Sequence, residues 1–165
     1  MGKNENKWQS VGRNNNKRGG GTIMFVGSHS ISMDNKGRVI VPQEFRSEFG
    51  ETVVVSIGPD LCLLLYTKEV WDEFAARLMA IPDMNNPKMR EIKRFMFSNT
   101  TYCDFDKMGR ILISKKHREY AKLDSSVRFV GMGSRLELWS DEEFAEPGEG
   151  QNVSDLFAQL PELVL

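Results

Sequence analysis

The sequence is poor in the residues that build disulfide frameworks, metal centres and hydrolytic sites. Among its 165 residues are two cysteines and two histidines. Cys62 and Cys103 lie in separate apolar or strand-like stretches with no C-x-x-C spacing, which argues against a disulfide framework or a zinc site. Neither His29 nor His117 stands in an arrangement typical of a nucleophile and its base. We therefore expect no enzyme, no cofactor, no metal and no small-molecule substrate.

Long apolar runs and a strong net charge are also missing. No stretch approaches the roughly 20 apolar residues that cross a bilayer, and the N-terminus lacks the apolar core of a signal peptide. A cytoplasmic protein without a membrane partner is expected. The net charge is −1, yet residues 1–23 hold five basic residues and one acid, whereas residues 140–165 hold seven acids and no lysine or arginine. The segment between them is nearly neutral, so any anion-binding site must be a local patch.

An internal repeat organises the middle of the chain. Residues 34–41 (DNKGRVIV) align with residues 106–113 (DKMGRILI) at an offset of 72, with Asp, Gly and Arg in the same places before three aliphatic residues. Residues 63–66 align with residues 136–139 after one extra residue. Two copies of one supersecondary unit explain this pattern better than chance.

Both copies predict the same order of elements. A strand leads into an Asp-x-x-x-Arg turn, in which Gly37 and Gly109 supply the positive φ of a tight hairpin, and a second strand returns beside the first. A short helix follows. Two more strands complete each copy, over residues 52–57 and 61–66 in the first and over residues 127–131 and 136–139 in the second. Apolar residues at helical spacing predict two helices between the copies, over residues 69–81 and 88–97. In the second helix Met89, Ile92, Phe95 and Met96 are expected to face inward.

These elements divide the chain into five parts. They are a disordered basic extension or tag (1–23), a first half-module (24–67), linking helices (68–99), a second half-module (100–145) and an acidic tail (146–165). The tail contains a short amphipathic piece over residues 153–160, which is either a docking helix or a loose end.

The doubled Asp-x-x-x-Arg motif, with the segments 58–66 and 130–139, closely resembles the MraZ family within the AbrB-like swapped-hairpin superfamily. The resemblance covers about residues 24–145. It implies an α+β, β-rich fold in which duplicated AbrB-like swapped-hairpin half-modules form a pseudo-two-fold β-barrel with flanking helices. It also implies a nucleoid-associated, ring-shaped homo-oligomer that binds short direct repeats of double-stranded DNA, usually repressing the division and cell-wall gene cluster.

The resemblance places DNA contacts on the Asp-x-x-x-Arg loops, and therefore on Arg38 and Arg110, with Asp34 and Asp106 in support. An arginine can donate two parallel hydrogen bonds to guanine. An aspartate directed at phosphate would repel it, so the aspartates are assigned to hold the turns. From the residues alone, an Asp–Arg pair that only stabilises a hairpin fits equally well.

Further residues of the turns and helices have predicted roles. Lys36 and Lys107 are expected to contact phosphate, and Asn35 a base or a phosphate. Arg46 and Arg118, on the short helices, are expected to be solvated.

Two departures from the family pattern put the packing of the second short helix in question. Ser114 stands where the first copy has Pro42, and His117 stands where it has Phe45. The alternative function is an oligomeric, antitoxin-like module that binds a protein partner, and the acidic tail supports that alternative.

Overall fold

The computed structural model describes residues 22–160, so most of the extension predicted over residues 1–23 and the end of the tail lie outside the described range. The strands are β1 (Ser28–Ser32), β2 (Arg38–Ile40), β3 (Thr52–Ile57), β4 (Leu63–Tyr66), β5 (Thr101–Asp104), β6 (Arg110–Leu112), β7 (Ser126–Gly131) and β8 (Leu136–Ser140). The helices are α1 (Gln43–Phe49), α2 (Lys68–Ala80), α3 (Pro87–Ser98), α4 (Lys115–Tyr120) and α5 (Val153–Ala158). None of these helices within residues 22–160 has the length and apolarity to cross a membrane.

The strands of the two copies pair with each other. A six-stranded antiparallel sheet has the order β1-β7-β8-β4-β3-β5, so the first strand of each copy lies beside the third strand of the other copy. Strands β2 and β6 form a separate antiparallel ribbon centred on the pair Val39 and Ile111. The predicted return of the second strand beside the first is wrong beyond the turn, because β2 and β6 pair with each other; in the first copy one bridge, Met33 to Val39, joins the first and second strands.

The exchange of strands has a physical reason that turn chemistry does not reveal. A glycine at positive φ fixes the geometry of the turn, but the partner of the next strand depends on where its apolar side is buried. Val39 and Ile111 are buried completely or nearly so, which pairing between the copies achieves for both at once. The fold is α+β and strand-rich with flanking helices, as expected, and the pairing among the described strands ends at β1 and β5 without closing between them.

One apolar core joins the two copies and holds the ribbon against the sheet. It includes Val39 and Ile111 from the ribbon, Phe45 from α1, and Leu65 and Leu138 from the sheet. Burial of one such side chain stabilises the fold by about 1.5–3 kcal/mol. Since the inner side of the ribbon is part of the core, its outer side has a fixed place on the surface.

Helices α2 and α3 cover the opposite face of β3 only in part. Trp71 and Leu78 of α2 are buried, as their helical spacing predicts. Ile92 and Phe95 of α3, which the same reasoning places inside, are 39% and 49% exposed. That prediction is wrong because α3 meets the Trp71 cluster through Met96 and Phe97, and none of its residues is buried.

The amphipathic piece of the tail forms the short helix α5 without burying its apolar side chains. All residues from 151 to 160 are exposed. Within the single chain, α5 is therefore not a docked helix.

Candidate nucleic-acid interface

The first Asp-x-x-x-Arg turn is organised around the carboxylate of Asp34. Its Oδ1 accepts hydrogen bonds from the backbone N–H groups of Lys36 (3.0 Å) and Arg38 (2.9 Å), and its Oδ2 accepts one from Arg38 Nε (2.7 Å). The backbone N–H of Gly37 donates to the carbonyl of Asp34 (3.0 Å) and closes the turn. These bonds, above all the one from the Arg38 backbone, lower the pKa of Asp34 and keep it anionic.

The second turn repeats this arrangement bond for bond. Asp106 Oδ1 accepts from the backbone N–H groups of Met108 and Arg110, both at 2.9 Å, and Oδ2 accepts from Arg110 Nε at 2.7 Å. The Gly109 N–H donates to the Asp106 carbonyl at 3.0 Å. The pKa of Asp106 is lowered in the same way, mainly by the backbone hydrogen bond from Arg110. The repeat in the sequence is therefore also a repeat in the geometry of the turns.

The glycines of the turns leave space for arginines of the opposite copy. Gly37 has φ +87° and Gly109 has φ +76°, a region that side chains rarely adopt. A Cβ at Gly37 would lie 2.6 Å from Arg118 Nε, and a Cβ at Gly109 would lie 2.5 Å from Arg46 Cζ. Each turn thus rests on the short helix of the other copy.

The solvated positions predicted for Arg46 and Arg118 are wrong, because both side chains are partly buried at these contacts. Arg118 Nε donates to the Ile113 carbonyl at 3.1 Å, and Arg46 Nη1 donates to the Met108 carbonyl at 3.4 Å. A signal for this role was present, since the two arginines coincide in the repeat as the turn residues do.

The ribbon of β2 and β6 places both turn arginines on one face of the molecule. Its register pairs Arg38 with Leu112 and Ile40 with Arg110. Because side chains alternate along a strand, these four point away from the buried central pair. Ile40 is 44% and Leu112 is 58% exposed. The two turns lie at opposite ends of this ribbon, and the arginines flank its middle on the outer side.

Known protein families include one with the same duplication. The model of the MraZ protein family, whose description adds the term antitoxin-like, matches residues 24–95 and again residues 96–158. The chain belongs to the MraZ family. Each of the two matched repeats contains one Asp-x-x-x-Arg turn, so the predicted duplication is confirmed, while the finer boundaries of the half-modules remain a prediction.

Similar proteins of the MraZ family come from several bacteria. One from Halothermothrix orenii is 41% identical over 73% of this chain and 84% of its own length. Another from Carboxydothermus hydrogenoformans is 42% identical over 72% of this chain and 82% of its own length. A third, from Lachnoclostridium phytofermentans, is 37% identical over 86% of this chain and 99% of its own length. All three carry the name "Transcriptional regulator MraZ", which names a regulator and not an enzyme.

In this member of the MraZ family, the turn arginines keep donors for an external partner. Each uses Nε for its aspartate, and neither Nη1 nor Nη2 has a hydrogen bond to any of the residues 22–160. The side chains of Arg38 and Arg110 are 36% and 25% exposed. A guanidinium held this way can still donate two parallel hydrogen bonds to a planar acceptor.

The remaining predicted contact residues also lie at the surface. Asn35, Lys36 and Lys107 are exposed, and their side chains have no hydrogen-bond partner among the residues 22–160. No group of three or more His, Cys, Asp or Glu side chains in the described part of the chain is arranged to hold a metal ion. The chemistry that the surface offers is hydrogen-bond donation and positive charge.

Proposed function

We propose that this chain is a sequence-specific DNA-binding transcriptional regulator. The observation that carries the proposal is the pair Arg38 and Arg110 on one exposed ribbon, each fixed through Nε by an aspartate and each with both terminal nitrogens left to donate. A two-stranded ribbon fits the major groove of B-DNA. There an arginine pairs with O6 and N7 of guanine, which discriminates against a wrong base by about 1–3 kcal/mol.

Preorganisation of the arginines favours this use. An unrestrained arginine loses rotamer freedom when it binds, at a cost of up to about 2 kcal/mol. The carboxylates of Asp34 and Asp106 already restrain the guanidinium groups in the free protein. They also accept backbone N–H groups, so the turn and the arginine are fixed together.

Charge on the ribbon supports contact with a polyanion. The two turns and their strands, residues 34–40 and 106–112, contain four basic residues and two acids. Both acids are bonded to arginines of the same turns. Lys36 and Lys107 are free to contact phosphates, which position a protein on DNA and make its affinity depend on salt.

The proposal extends to the assembly and the DNA target that the resemblance implies. One chain presents a small footprint, whereas a homo-oligomeric ring would repeat the ribbon at a fixed spacing. Engagement of several short direct repeats then raises the apparent affinity through effective concentration. The exposed Ile92 and Phe95 of α3 supply apolar surface for contacts between subunits. The target is the promoter of the chain's own gene and the division and cell-wall genes, and the effect is repression.

Binding to fragments of that promoter tests the proposal. We expect Arg38→Ala and Arg110→Ala each to weaken specific binding by about 1–3 kcal/mol, in fluorescence anisotropy at several salt concentrations. Arg77→Ala, at an exposed position on α2, is the matched control and should bind as the wild type does. A folded Arg38→Ala protein that retains full specificity would contradict the assignment. Equal affinity for one repeat and for several would contradict the ring.

The exposed apolar side of α5 favours one alternative. Leu156 and Phe157 are 37% and 43% exposed on a helix within the acidic tail, a surface suited to a protein partner of an antitoxin-like module. Sequence-independent DNA binding, together with a stable complex of the chain with such a partner, would favour this alternative over the regulator.

A further inference from the structure

The two turns have the same backbone but different side chains at two exposed positions. The second and third residues of the first turn are Asn35 and Lys36, and those of the second turn are Lys107 and Met108. All four are exposed, Met108 to 64%. The hydrogen bonds that hold the two turns agree to within 0.1 Å. The difference between the turns is therefore one of side-chain chemistry and not of shape.

A local two-fold axis relates the two turns. The ribbon register pairs Arg38 with Leu112 and Ile40 with Arg110, so exchange of the copies returns the same pairs. A protein with two equivalent reading elements about a two-fold axis recognises an inverted repeat, because the symmetry of the site follows that of the protein. Identical turns on this ribbon would accordingly read a palindrome.

The chemistry of the second and third turn positions breaks that symmetry. Asn35 can form a bidentate pair with adenine N6 and N7, which Lys107 at the equivalent position cannot do. Lys36 is a cation suited to phosphate or guanine, whereas Met108 is apolar and suited to the thymine methyl group. The outward residues of the strands, Ile40 and Leu112, are both aliphatic and leave the symmetry intact.

We propose that each protomer reads a directional, non-palindromic DNA site, and that Asn35, Lys36, Lys107 and Met108 set its direction. This inference rests on the proposed DNA-binding function and specifies it. Arg38 and Arg110 supply the same guanine contact in both halves of the site, and the four exposed residues distinguish the halves. In a cyclic ring every protomer points the same way around the ring, so directional sites must follow one another head to tail. Direct repeats in the DNA would thus have a structural reason.

Exchange of the turn residues tests this proposal. Lys107→Asn with Met108→Lys makes the second turn identical to the first, and Asn35→Lys with Lys36→Met makes the first identical to the second. Each turn already accommodates the residues in question on the same backbone, so both double variants should fold, as thermal unfolding will show. The full-length wild type and both variants select sites from a random DNA pool, and affinities are then measured for the selected site and for its two symmetrised forms.

The expected results differ between the three proteins. The wild type should prefer its asymmetric site over either symmetrised form by about tenfold or more, the discrimination of one bidentate base contact. Each double variant has two identical turns. It should therefore prefer the symmetrised DNA site that is built from the half-site read by that turn. A wild type that selects a palindrome, or variants that select the wild-type site, would overturn the directional reading while the DNA-binding function stands. If the wild type enriches no site, or if Arg38→Ala enriches the same one, the proposed function itself fails.

Discussion

The helices beneath the two turns differ far more than the turns do. In the first copy, α1 begins after Pro42 without a side-chain cap and buries Phe45, whose ring lies 6.1 Å from that of Phe25. In the second copy, Ser114 caps α4 by accepting from the His117 N–H at 3.2 Å. His117 is then as buried as the phenylalanine it replaces.

The buried histidine shows how the second helix keeps its place with a polar residue in the core. Its Nε2 lies 2.9 Å from the carbonyl oxygen of Asn99, which can only accept, so Nε2 carries the proton. Its Nδ1 is buried without a hydrogen-bond partner among the residues 22–160. Burial lowers the pKa of His117, so the ring stays neutral in the fold. Apolar packing supports the helix of the first copy, and a hydrogen bond from the buried ring to the Asn99 carbonyl supports the helix of the second.

Alanine at the turn glycines should have the largest effect on stability, and it compares how each turn packs against the opposite copy. At Gly37 the new Cβ would lie 2.8 Å from the Ile113 carbonyl oxygen, a backbone atom. At Gly109 the three nearest atoms all belong to the flexible side chain of Arg46. We expect Gly37→Ala to lower the free energy of unfolding by about 2–4 kcal/mol, and Gly109→Ala by about 1–2 kcal/mol, in chemical denaturation.

Gly50→Ala is the control for a positive φ without a contact. Gly50 has φ +74° and ψ −128°, and a Cβ added there would meet nothing within 4 Å, so the variant shows a backbone cost alone, about 1–3 kcal/mol. Equal losses at Gly37, Gly109 and Gly50 would show that the contacts with the opposite copy contribute nothing to stability.

Much of the local structure could be predicted from the sequence, and the pairing between the copies could not. The strand over residues 52–57 and the hydrogen-bonded turns follow from β-branched runs and from Asp and Gly at fixed positions. These are short-range preferences that a few neighbouring residues determine. The strand that pairs with β2 lies 72 residues further along the chain, and this pairing buries the apolar sides of both strands. No local sequence pattern encodes that partner.

The candidate site shows the same division. The positions of Arg38 and Arg110 on an exposed surface follow from the turn motif, but their common face follows from the ribbon that joins the copies. The role of Arg46 was missed because a lone arginine on a short helix is usually solvated. Only its recurrence at Arg118 pointed to a structural use.

Acid should weaken the fold through His117 of the second copy. Below pH 6.5, the ordinary pKa of histidine, the unfolded chain binds a proton at His117 that the folded chain excludes. Stability should therefore fall as the pH drops below 6.5, and this fall should end once the pH is below the lowered pKa of the folded state. His117→Leu removes the effect but leaves the Asn99 carbonyl without its donor, at a cost of about 1–3 kcal/mol at neutral pH.

The measurement is the free energy of unfolding between pH 7.5 and about 5, a range that brackets the ordinary histidine pKa. The His117→Leu variant and its parent are both studied with His29→Gln, so that His117 is the parent's only histidine. The difference in the free energy of unfolding between the two proteins should become smaller as the pH falls. Parallel curves would mean that His117 titrates in the fold much as it does in the unfolded chain.

The smallest expected difference concerns the arginines beneath the turns. Arg118 Nε donates to the Ile113 carbonyl at 3.1 Å, whereas Arg46 Nη1 reaches the Met108 carbonyl at 3.4 Å and its other terminal nitrogen bonds to Gln43 on its own helix. Methionine keeps most of the aliphatic stem and removes the donors. Arg118→Met should therefore lower the free energy of unfolding by about 1 kcal/mol, and Arg46→Met by less than about 0.5 kcal/mol. A larger loss of stability in Arg46→Met than in Arg118→Met would contradict this prediction. It would show that the longer contact of Arg46 stabilises the second turn more than its distance indicates.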